Sequence, residues 1–273
     1  MSSDCNGSED LLSLHQACYN AIVWRLPRFN GKLERDGATM KNVPDECLRG
    51  FVEACRAAAD HGLMRCSSGN MSRRVDEKHM LATRSRSWMS TFSPDDVVLC
   101  SIDDGSVVDG KKPTVEINIH AGILRTRPDI DVVMHFQTAH ATALACSDLG
   151  DINYFVIPEI PFYIGPIGRV PYIPPGTKEL GQAVTEAMRD HDLVQMGHHG
   201  QVTVGRDFDH AIQNAEFFEL ACEVILRGGS AVTPLSEESV KDLLSQGCKR
   251  SAPGTQKEAC ASRAGRGTSR EEN

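Results

Sequence analysis

Three short segments of this chain of 273 residues concentrate side chains that can bind a metal ion or move a proton. His135 and Gln137 come directly after the apolar run 132–134. Because side chains alternate along a strand, these two groups point to the same side and can chelate one ion. His199 lies in a Gly-His-His-Gly turn at 197–200, where glycines let the backbone approach a site closely.

The third segment supplies a carboxylate. Glu116 opens a predicted helix, and His120 follows one turn later on the same face. Together, His135, His199 and Glu116 are typical of a two-histidine, one-carboxylate metal site with open coordination positions. Each group also has a structural interpretation, since a histidine at a strand end can be a hydrogen-bonded core residue and a carboxylate can stabilise a helix N-terminus.

The elements that must position these groups follow from hydrophobic periodicity and turn residues. Predicted strands cover 79–83, 97–101, 106–108, 132–136 and 202–204, and predicted helices cover 11–24, 48–62, 116–127, 138–146, 177–190 and 209–226, with one more short helix after Thr233-Pro234. Short strands of this kind, interspersed with helices, predict an α/β fold. We expect a single three-layer αβα domain on a mixed, largely antiparallel central sheet.

Composition narrows the class of protein. The chain is 40% hydrophobic and 24% charged, as in an ordinary globular protein, and its net charge of −8 argues against nucleic acid as a partner. No apolar run approaches the roughly 18 to 20 residues that span a bilayer. The N-terminus lacks the basic and apolar regions of a signal peptide, so we expect a cytoplasmic protein that binds neither nucleic acid nor membrane.

Domain boundaries follow from the same reasoning. Residues 248–273 contain no Val, Leu, Ile, Met or aromatic residue. Their net charge is +3, so residues 1–247 carry a net charge of −11. Such a segment cannot offset the entropy of ordering, and we expect one domain over 9–247 followed by a disordered basic tail over 248–273.

Most of the ten cysteines, Cys55, Cys146 and Cys222 among them, lie in apolar stretches without a CxxC pair, which indicates structural thiols.

Six segments occur in an order that resembles a known family. They are GLMRCSSGNMS at 62–72, LATRS at 81–85, PTVEINIH at 113–120, RPDIDVVMHFQTAHATAL at 127–144, GTKEL at 176–180 and HHGQVTVG at 198–205. The chain is similar to the class II aldolase/adducin family, the group of L-fuculose-phosphate aldolase and L-ribulose-phosphate epimerase. The resemblance covers roughly 48–227.

The resemblance implies one divalent metal ion per subunit. Its ligands match His135, His199 and Glu116, and the same Glu116 then acts as the catalytic base. Gln137 stands where the family has a second histidine of an H-x-H pair. An amide oxygen is a harder and weaker ligand than an imidazole, so zinc is the expected ion and manganese or iron are the alternatives.

The resemblance also implies an anion site for the substrate. Phosphate contacts of the aldolases match Ser67, Ser68, Gly69, Asn70, Ser85 and Thr114. Arg84 and Arg86 flank Ser85 where the family has small residues or proline, and a guanidinium is suited to capture of a carboxylate or phosphate. A solvated arginine pair is the alternative. Tyr154 and His140 are expected to handle the proton of a departing aldehyde.

The implied activity is that of a metal-dependent carbon–carbon lyase. The leading hypothesis is aldol cleavage of a small phosphorylated sugar through a metal-stabilised enediolate. One alternative is a metal-dependent decarboxylase of a small carboxylate or dicarboxylate on the same fold, and another is a non-catalytic, adducin-like interaction module. Family members are typically homotetramers with the site near a subunit interface, so we expect a homo-oligomer.

Overall fold

A single eight-stranded sheet organises the protein. The computed structural model describes residues 39–148 and 151–247, and its sheet has the strand order β4-β3-β2-β1-β5-β8-β7-β6. Neighbouring strands are antiparallel except for the parallel pair of β6 and β7. The strands are β1 (Asn70–Arg74), β2 (His79–Thr83), β3 (Val97–Ser101), β4 (Val107–Asp109), β5 (Val132–Phe136), β6 (Gly168–Val170), β7 (Leu193–Met196) and β8 (Gly200–Gly205).

Helices cover both faces of this sheet. They are α1 (Asp45–Asp60), α2 (Ile117–Thr126), α3 (Ala139–Ala145), α4 (Lys178–Ala187), α5 (Phe208–Gly228) and α6 (Glu237–Gln246), with a π-helical turn at Ile160–Ile164. Two apolar clusters separate the layers: α1, α3 and α5 pack on one face, and α2 and α4 pack on the other. This arrangement confirms the predicted mixed, largely antiparallel αβα fold. None of the helices in the described parts of the chain is both long and apolar enough to cross a membrane.

Most predicted elements are present with shifted ends. Strands 79–83, 97–101 and 132–136 have the predicted bounds, whereas the strand predicted at 202–204 extends over Gly200–Gly205. The helix predicted at 116–127 begins at Ile117, with Glu116 as its N-cap residue.

Other predictions missed strands or misplaced a residue. Strands β1, β6 and β7 were not predicted, because their residues read as turns or as mixed polar segments. The short helix predicted after Thr233-Pro234 is present and begins at Glu237, where the Ser236 side chain accepts a hydrogen bond from the Ser239 N–H. Cys146 lies exposed at the end of α3 instead of in the core. The helix predicted at 11–24 and the tail at 248–273 lie outside the described residues.

Helix α2, which carries the predicted carboxylate, packs closely against α4. A β-carbon built at Gly181 on α4 would lie 2.8 Å from Asn118 Cβ and 3.2 Å from the Asn118 carbonyl carbon. On the other side of the contact, Gly122 of α2 faces the Thr185 side chain. The position of α2 over the sheet therefore depends on two glycines, one in each helix, that let the backbones approach.

This close approach gives a stability prediction. Gly181→Ala would stabilise an isolated helix by about 1 kcal/mol, but here the new methyl group meets α2, and we expect a loss of about 1–3 kcal/mol in the free energy of unfolding. Gln182→Ala, at the next, exposed position of the same helix, should change it by less than about 0.5 kcal/mol. Urea unfolding of both variants is the measurement, and a Gly181→Ala variant as stable as the wild type would contradict the packing argument.

Candidate active site

The predicted metal-binding groups come together at one end of the central strands. Strand β5 lies between β1 and β8, with His135 opposite Asn70 on one side and Val202 on the other. The turn that joins β7 to β8 carries His199, and Glu116 lies at the N-terminus of α2 above the same strands. Residues far apart in the chain thus meet because β1, β5 and β8 are neighbours in the sheet.

The Glu116 carboxylate lies between two imidazoles. Its Oε1 is 3.2 Å from His199 Nε2, and its Oε2 is 3.5 Å from His135 Nε2. One ligand atom from each of the three residues lies within 4.8 Å of the others, and Glu116 and His135 are buried. These are the two histidines and the carboxylate that the sequence predicts as metal ligands.

The donor atoms are oriented as a metal site requires. His135 Nδ1 donates to the Gln201 carbonyl oxygen at 2.9 Å, so its Nε2 presents a lone pair toward Glu116. Within residues 39–148 and 151–247, Glu116 Oε1 and His199 Nδ1 are buried without a hydrogen-bond partner. A divalent ion would satisfy the unpartnered carboxylate oxygen, so the residues present fit the metal that the fold implies.

Gln137 lies against the turn that carries His199. Its Nε2 donates to the His199 carbonyl oxygen at 2.7 Å, and a β-carbon at Gly200 would lie 2.6 Å from Gln137 Cγ. The same β-carbon would lie 3.0 Å from His135 Cε1, which explains the need for glycine after His199. Since the amide nitrogen holds the turn, the amide oxygen is the atom left for a metal. Its role as a ligand stays a prediction.

A buried chain of hydrogen bonds supports the carboxylate from the strand side. Asn70 Nδ2 donates to Glu116 Oε2 at 2.8 Å, which turns its amide oxygen toward His120 Nε2 at 2.5 Å. His120 must then carry its proton on Nε2, and its Nδ1 accepts from the Ser72 hydroxyl at 2.7 Å. Each hydrogen bond in this series is donated in the direction of Glu116, so the network favours the ionised carboxylate. The series ends on Oε2 and leaves Oε1 without a hydrogen bond from it.

The titration properties follow from these contacts. Burial raises the pKa of Glu116, but His135, the Asn70 hydrogen bond and His199 outweigh it, so the pKa is lowered and the carboxylate stays charged. Burial lowers the pKa of His120 to about 3. Burial and the neighbouring His135 also lower the pKa of His199 against the attraction of Glu116, which favours the neutral imidazole that binds metals.

The two residues predicted to handle the aldehyde proton lie in other contacts. Tyr154 is 5% exposed, and its hydroxyl donates to Gln195 Oε1 at 2.6 Å. The ring packs beside Phe218, with centroids 5.0 Å apart. His140 is partly exposed, with its Nδ1 2.8 Å from Glu219 Oε1. Their catalytic roles stay predictions.

The predicted phosphate contacts divide into two groups. In the turn over 67–70, Ser68 donates its N–H at 2.9 Å and its hydroxyl at 2.7 Å to the Arg65 carbonyl oxygen, and Gly69, with a φ of 79°, packs against the His135 carbonyl oxygen. In the second group, the Ser85 N–H donates to the Lys112 carbonyl oxygen and the Thr114 hydroxyl accepts from the Glu116 N–H. Ser67 is exposed in the first group.

The arginines that flank Ser85 differ from each other. Arg84 pairs with Asp96 at 2.6 Å, whereas Arg86 is exposed and has a φ of 63°. Ser72, Lys111 and Lys112 are functional candidates that the sequence reasoning missed. Ser72 lies two residues after Asn70 in β1, so the two side chains share one face of the strand. Recognition of β1 as a strand would have been the signal that places Ser72 beside the site.

Gln137 gives the first prediction from this geometry. If its amide oxygen faces the ion, Gln137→His adds a third imidazole, and we expect zinc to bind at least about tenfold more tightly. Gln182→His, which adds an imidazole to the exposed side of α4, should leave zinc affinity unchanged. Competition with a chromophoric chelator measures both, and equal affinities in wild type and Gln137→His would place the Gln137 side chain outside the coordination sphere.

His120 gives the second prediction. Below pH 6.5 the unfolded chain protonates this imidazole, while the folded chain, with a pKa of about 3, does not. This group's contribution to stability is therefore complete above pH 6.5 and is lost as the pH falls, by about 1.4 kcal/mol per pH unit. Urea unfolding of chelator-treated protein between pH 6.5 and 5.5 should show a shallower slope for His120→Gln. If the free energy of unfolding changed with pH by the same amount in the wild type and in His120→Gln, the low pKa of His120 would be contradicted.

The comparison with curated proteins gives relatives of two activities. The 3-oxo-tetronate 4-phosphate decarboxylase of Haemophilus influenzae is 26% identical over 201 residues, which cover 72% of this chain and 95% of that protein. The L-fuculose phosphate aldolase of Methanocaldococcus jannaschii is 31% identical over 176 residues, which cover 64% of this chain and 93% of that protein. Both relatives are enzymes, as the sequence predicts for this chain.

Solved structures share the fold. An L-fuculose 1-phosphate aldolase matches with a TM-score of 0.64 at 22% identity, over 74% of this chain and 96% of its own. A sugar-phosphate aldolase from Thermotoga maritima matches with a TM-score of 0.60 at 23% identity, over 70% of this chain and 97% of its own. The family model of the Class II Aldolase and Adducin N-terminal domain matches residues 49–226. Because this model covers more than half of the chain, the chain belongs to the class II aldolase and adducin family.

Proposed function

We propose that this protein is a metal-dependent lyase that breaks a carbon–carbon bond in a small phosphorylated substrate. The observation that carries the proposal is the buried Glu116 carboxylate between two imidazoles, with one oxygen free of protein hydrogen bonds within the described residues. A scaffold has no physical need to bury this set of groups, whose charge is costly to remove from water. The site therefore favours catalysis over an adducin-like interaction module.

The metal would be held by His135, His199 and Glu116, with the Gln137 oxygen as a fourth ligand. Bound there, a divalent ion supplies Lewis-acid stabilisation of the negative charge that develops on the substrate oxygens. Zinc is the first choice, and manganese or iron are the alternatives because an amide oxygen suits harder ions.

Glu116 would carry the proton. Asn70 holds Oε2 at 2.8 Å, so Oε1 is the oxygen that exchanges a proton with the substrate carbon. In either reaction the carbon–carbon bond breaks, its electron pair stays on the retained fragment as an enediolate or enolate, and Glu116 passes to that carbon a proton that it takes up from solvent. The neighbouring imidazoles and the Asn70 hydrogen bond lower the pKa of Glu116, so displacement from its partners by substrate would be needed to raise it for this step.

Aldol cleavage and decarboxylation differ in the group that departs. A departing aldehyde requires removal of a hydroxyl proton, which the sequence assigns to Tyr154 or His140. Decarboxylation requires no such step, because the departing carboxylate is already ionised. The burial of Tyr154 and its hydrogen bond to Gln195 favour decarboxylation of a small 3-oxo acid as the second candidate, and so does the similarity to the decarboxylase of Haemophilus influenzae.

The oligomeric state belongs to the same proposal. The family resemblance favours a homotetramer with the site near a subunit interface. Light scattering of the purified, metal-loaded protein measures the mass directly, and a monomer that turns over substrate would contradict the tetramer.

Turnover of metal-loaded protein tests the function. We expect Glu116→Gln to lower turnover by about 10²–10⁴-fold while metal remains bound, because the proton carrier is lost and an amide oxygen remains as a ligand. Glu179→Gln, an exposed carboxylate in the first turn of α4, is the matched control. Full activity in Glu116→Gln would contradict the assigned role.

The two candidate reactions are separated by their products. Ketose 1-phosphates are assayed for aldehyde release and 3-oxo acid phosphates for carbon dioxide release with the same preparation. Absence of any bound or reconstitutable divalent ion, together with no release of either product, would favour the interaction module.

A further inference from the structure

Four polar side chains connect β1 to the start of α2 beside the metal-binding cluster. Asn70 and Ser72 lie two residues apart on one face of β1, and Glu116 and His120 lie four residues apart at the start of α2. Two residues of a strand advance about 6.6 Å and four residues of a helix about 6 Å, so the two pairs stay in step. The side chains of the strand and the helix can therefore form one continuous series of hydrogen bonds.

All four side chains are buried. Ser72 and His120 are 0% exposed, and Asn70 and Glu116 are at most 6% exposed. In the sheet register, Ser72 lies between Ala82 of β2 and Val133 of β5. A buried polar group that loses its hydrogen bond costs roughly 1–3 kcal/mol, so the orientation of each group depends on its neighbour in the series.

The carboxylate fixes the direction of these hydrogen bonds. An ionised carboxylate can only accept, so Asn70 presents its amide nitrogen to Glu116 Oε2 at 2.8 Å. The Asn70 amide oxygen then faces His120 Nε2 at 2.5 Å, and that nitrogen must carry the ring proton. The Ser72 hydroxyl, 2.7 Å from His120 Nδ1, becomes the donor at the other end. All three contacts are satisfied by a single tautomer of His120 and a single rotation of the Asn70 amide.

We propose that His120 and Ser72 are positioning residues for the metal-binding carboxylate. His120 holds the Asn70 amide in the rotation that donates to Glu116, and Ser72 holds His120 in the tautomer that this rotation requires. The hydrogen bonds of His120 go to Asn70 and Ser72, so its effect on Glu116 passes through Asn70. The inference rests on the proposed function for the metal as the occupant of the cluster.

The same rotation is compatible with the phosphate contact that the family resemblance implies for Asn70. An amide nitrogen carries two N–H groups, and the bond to Glu116 Oε2 uses one of them. The second N–H points away from the oxygen that His120 holds. Asn70 can therefore support the carboxylate and still donate to a substrate.

The tautomer of His120 is the first test, because a histidine that only fills space has no required tautomer. Nitrogen-15 NMR of histidine-labelled, chelator-treated full-length protein near neutral pH reads it directly. We expect a protonated Nε2 and an unprotonated Nδ1, in the signals that are missing from His120→Gln. A protonated Nδ1 would overturn the proposal, because His120 Nε2 could then no longer donate to the Asn70 oxygen.

Zinc affinity, measured by competition with a chromophoric chelator, tests whether the positioning matters. Groups that orient a metal ligand contribute about 10–100-fold to metal affinity, so we expect zinc to bind about tenfold more weakly to His120→Leu. His120→Gln should retain the affinity of the wild type, because the glutamine amide nitrogen can donate to Asn70 in place of Nε2. Wild-type affinity in His120→Leu would overturn the proposal, and so would an equal loss in both variants.

Ser72→Ala keeps the proposal testable if His120→Leu does not fold. This small change removes one hydrogen bond to a buried group, so we expect about threefold to tenfold weaker zinc binding. An unchanged affinity would overturn the role of Ser72.

The matched control is His210, a partly buried histidine next to Gly205 at the end of β8 that is far from His199. His210→Leu and His210→Gln should both bind zinc as the wild type does. If both bound it as weakly as His120→Leu, a general loss of stability would explain the result and the proposal would be overturned.

Activity separates this inference from the proposed function. If the metal-loaded protein is a lyase, His120→Leu should lower kcat about tenfold and His120→Gln should restore it. If no substrate is turned over but the zinc affinities follow the expected order, the proposed function fails and the positioning role stands. If the lyase is active and His120→Leu matches the wild type in zinc affinity and kcat, the positioning role fails and the function stands.

Discussion

The burial of one carboxylate governs the centre of this protein. Glu116 is 5% exposed and remains charged, and an isolated ion at such a position costs several kcal/mol, on the order of the stability of a whole domain. The Asn70 amide donates a hydrogen bond to its Oε2, and two imidazole nitrogens lie within 3.5 Å of its oxygens. Its Oε1 accepts no hydrogen bond from the described residues.

This constraint explains why a central strand is polar. Asn70 and Ser72 of β1 are buried on the face toward α2, and each has its partner on that helix or at its N-terminus. His120 joins them and stays neutral because burial lowers its pKa to about 3. Since the network requires α2 to lie within hydrogen-bonding distance of β1, the close glycine contacts between α2 and α4 serve the chemistry as well as the packing.

The described part of the chain contains two different electrostatic environments. Around Glu116 the groups are buried and their partners are specified one by one. In the pocket at Arg86, Lys111 and Lys112 the cations are exposed and their charges add without fixed partners. The first environment suits a metal and a proton carrier.

The sequence by itself determined the αβα fold and the identity of the cluster, because apolar periodicity and the His135, His199 and Glu116 motifs are local signals. It did not reveal β1 as a strand, because the apolar alternation that marks a half-buried strand is missing when Asn70 and Ser72 face a polar network. Only the tertiary structure decided that Asn70 supports Glu116, that Tyr154 packs in the core, and that Lys111 and Lys112 join Arg86. The physical reason is that hydrogen bonds and charge compensation act between segments far apart in the chain, whereas periodicity is read within one segment.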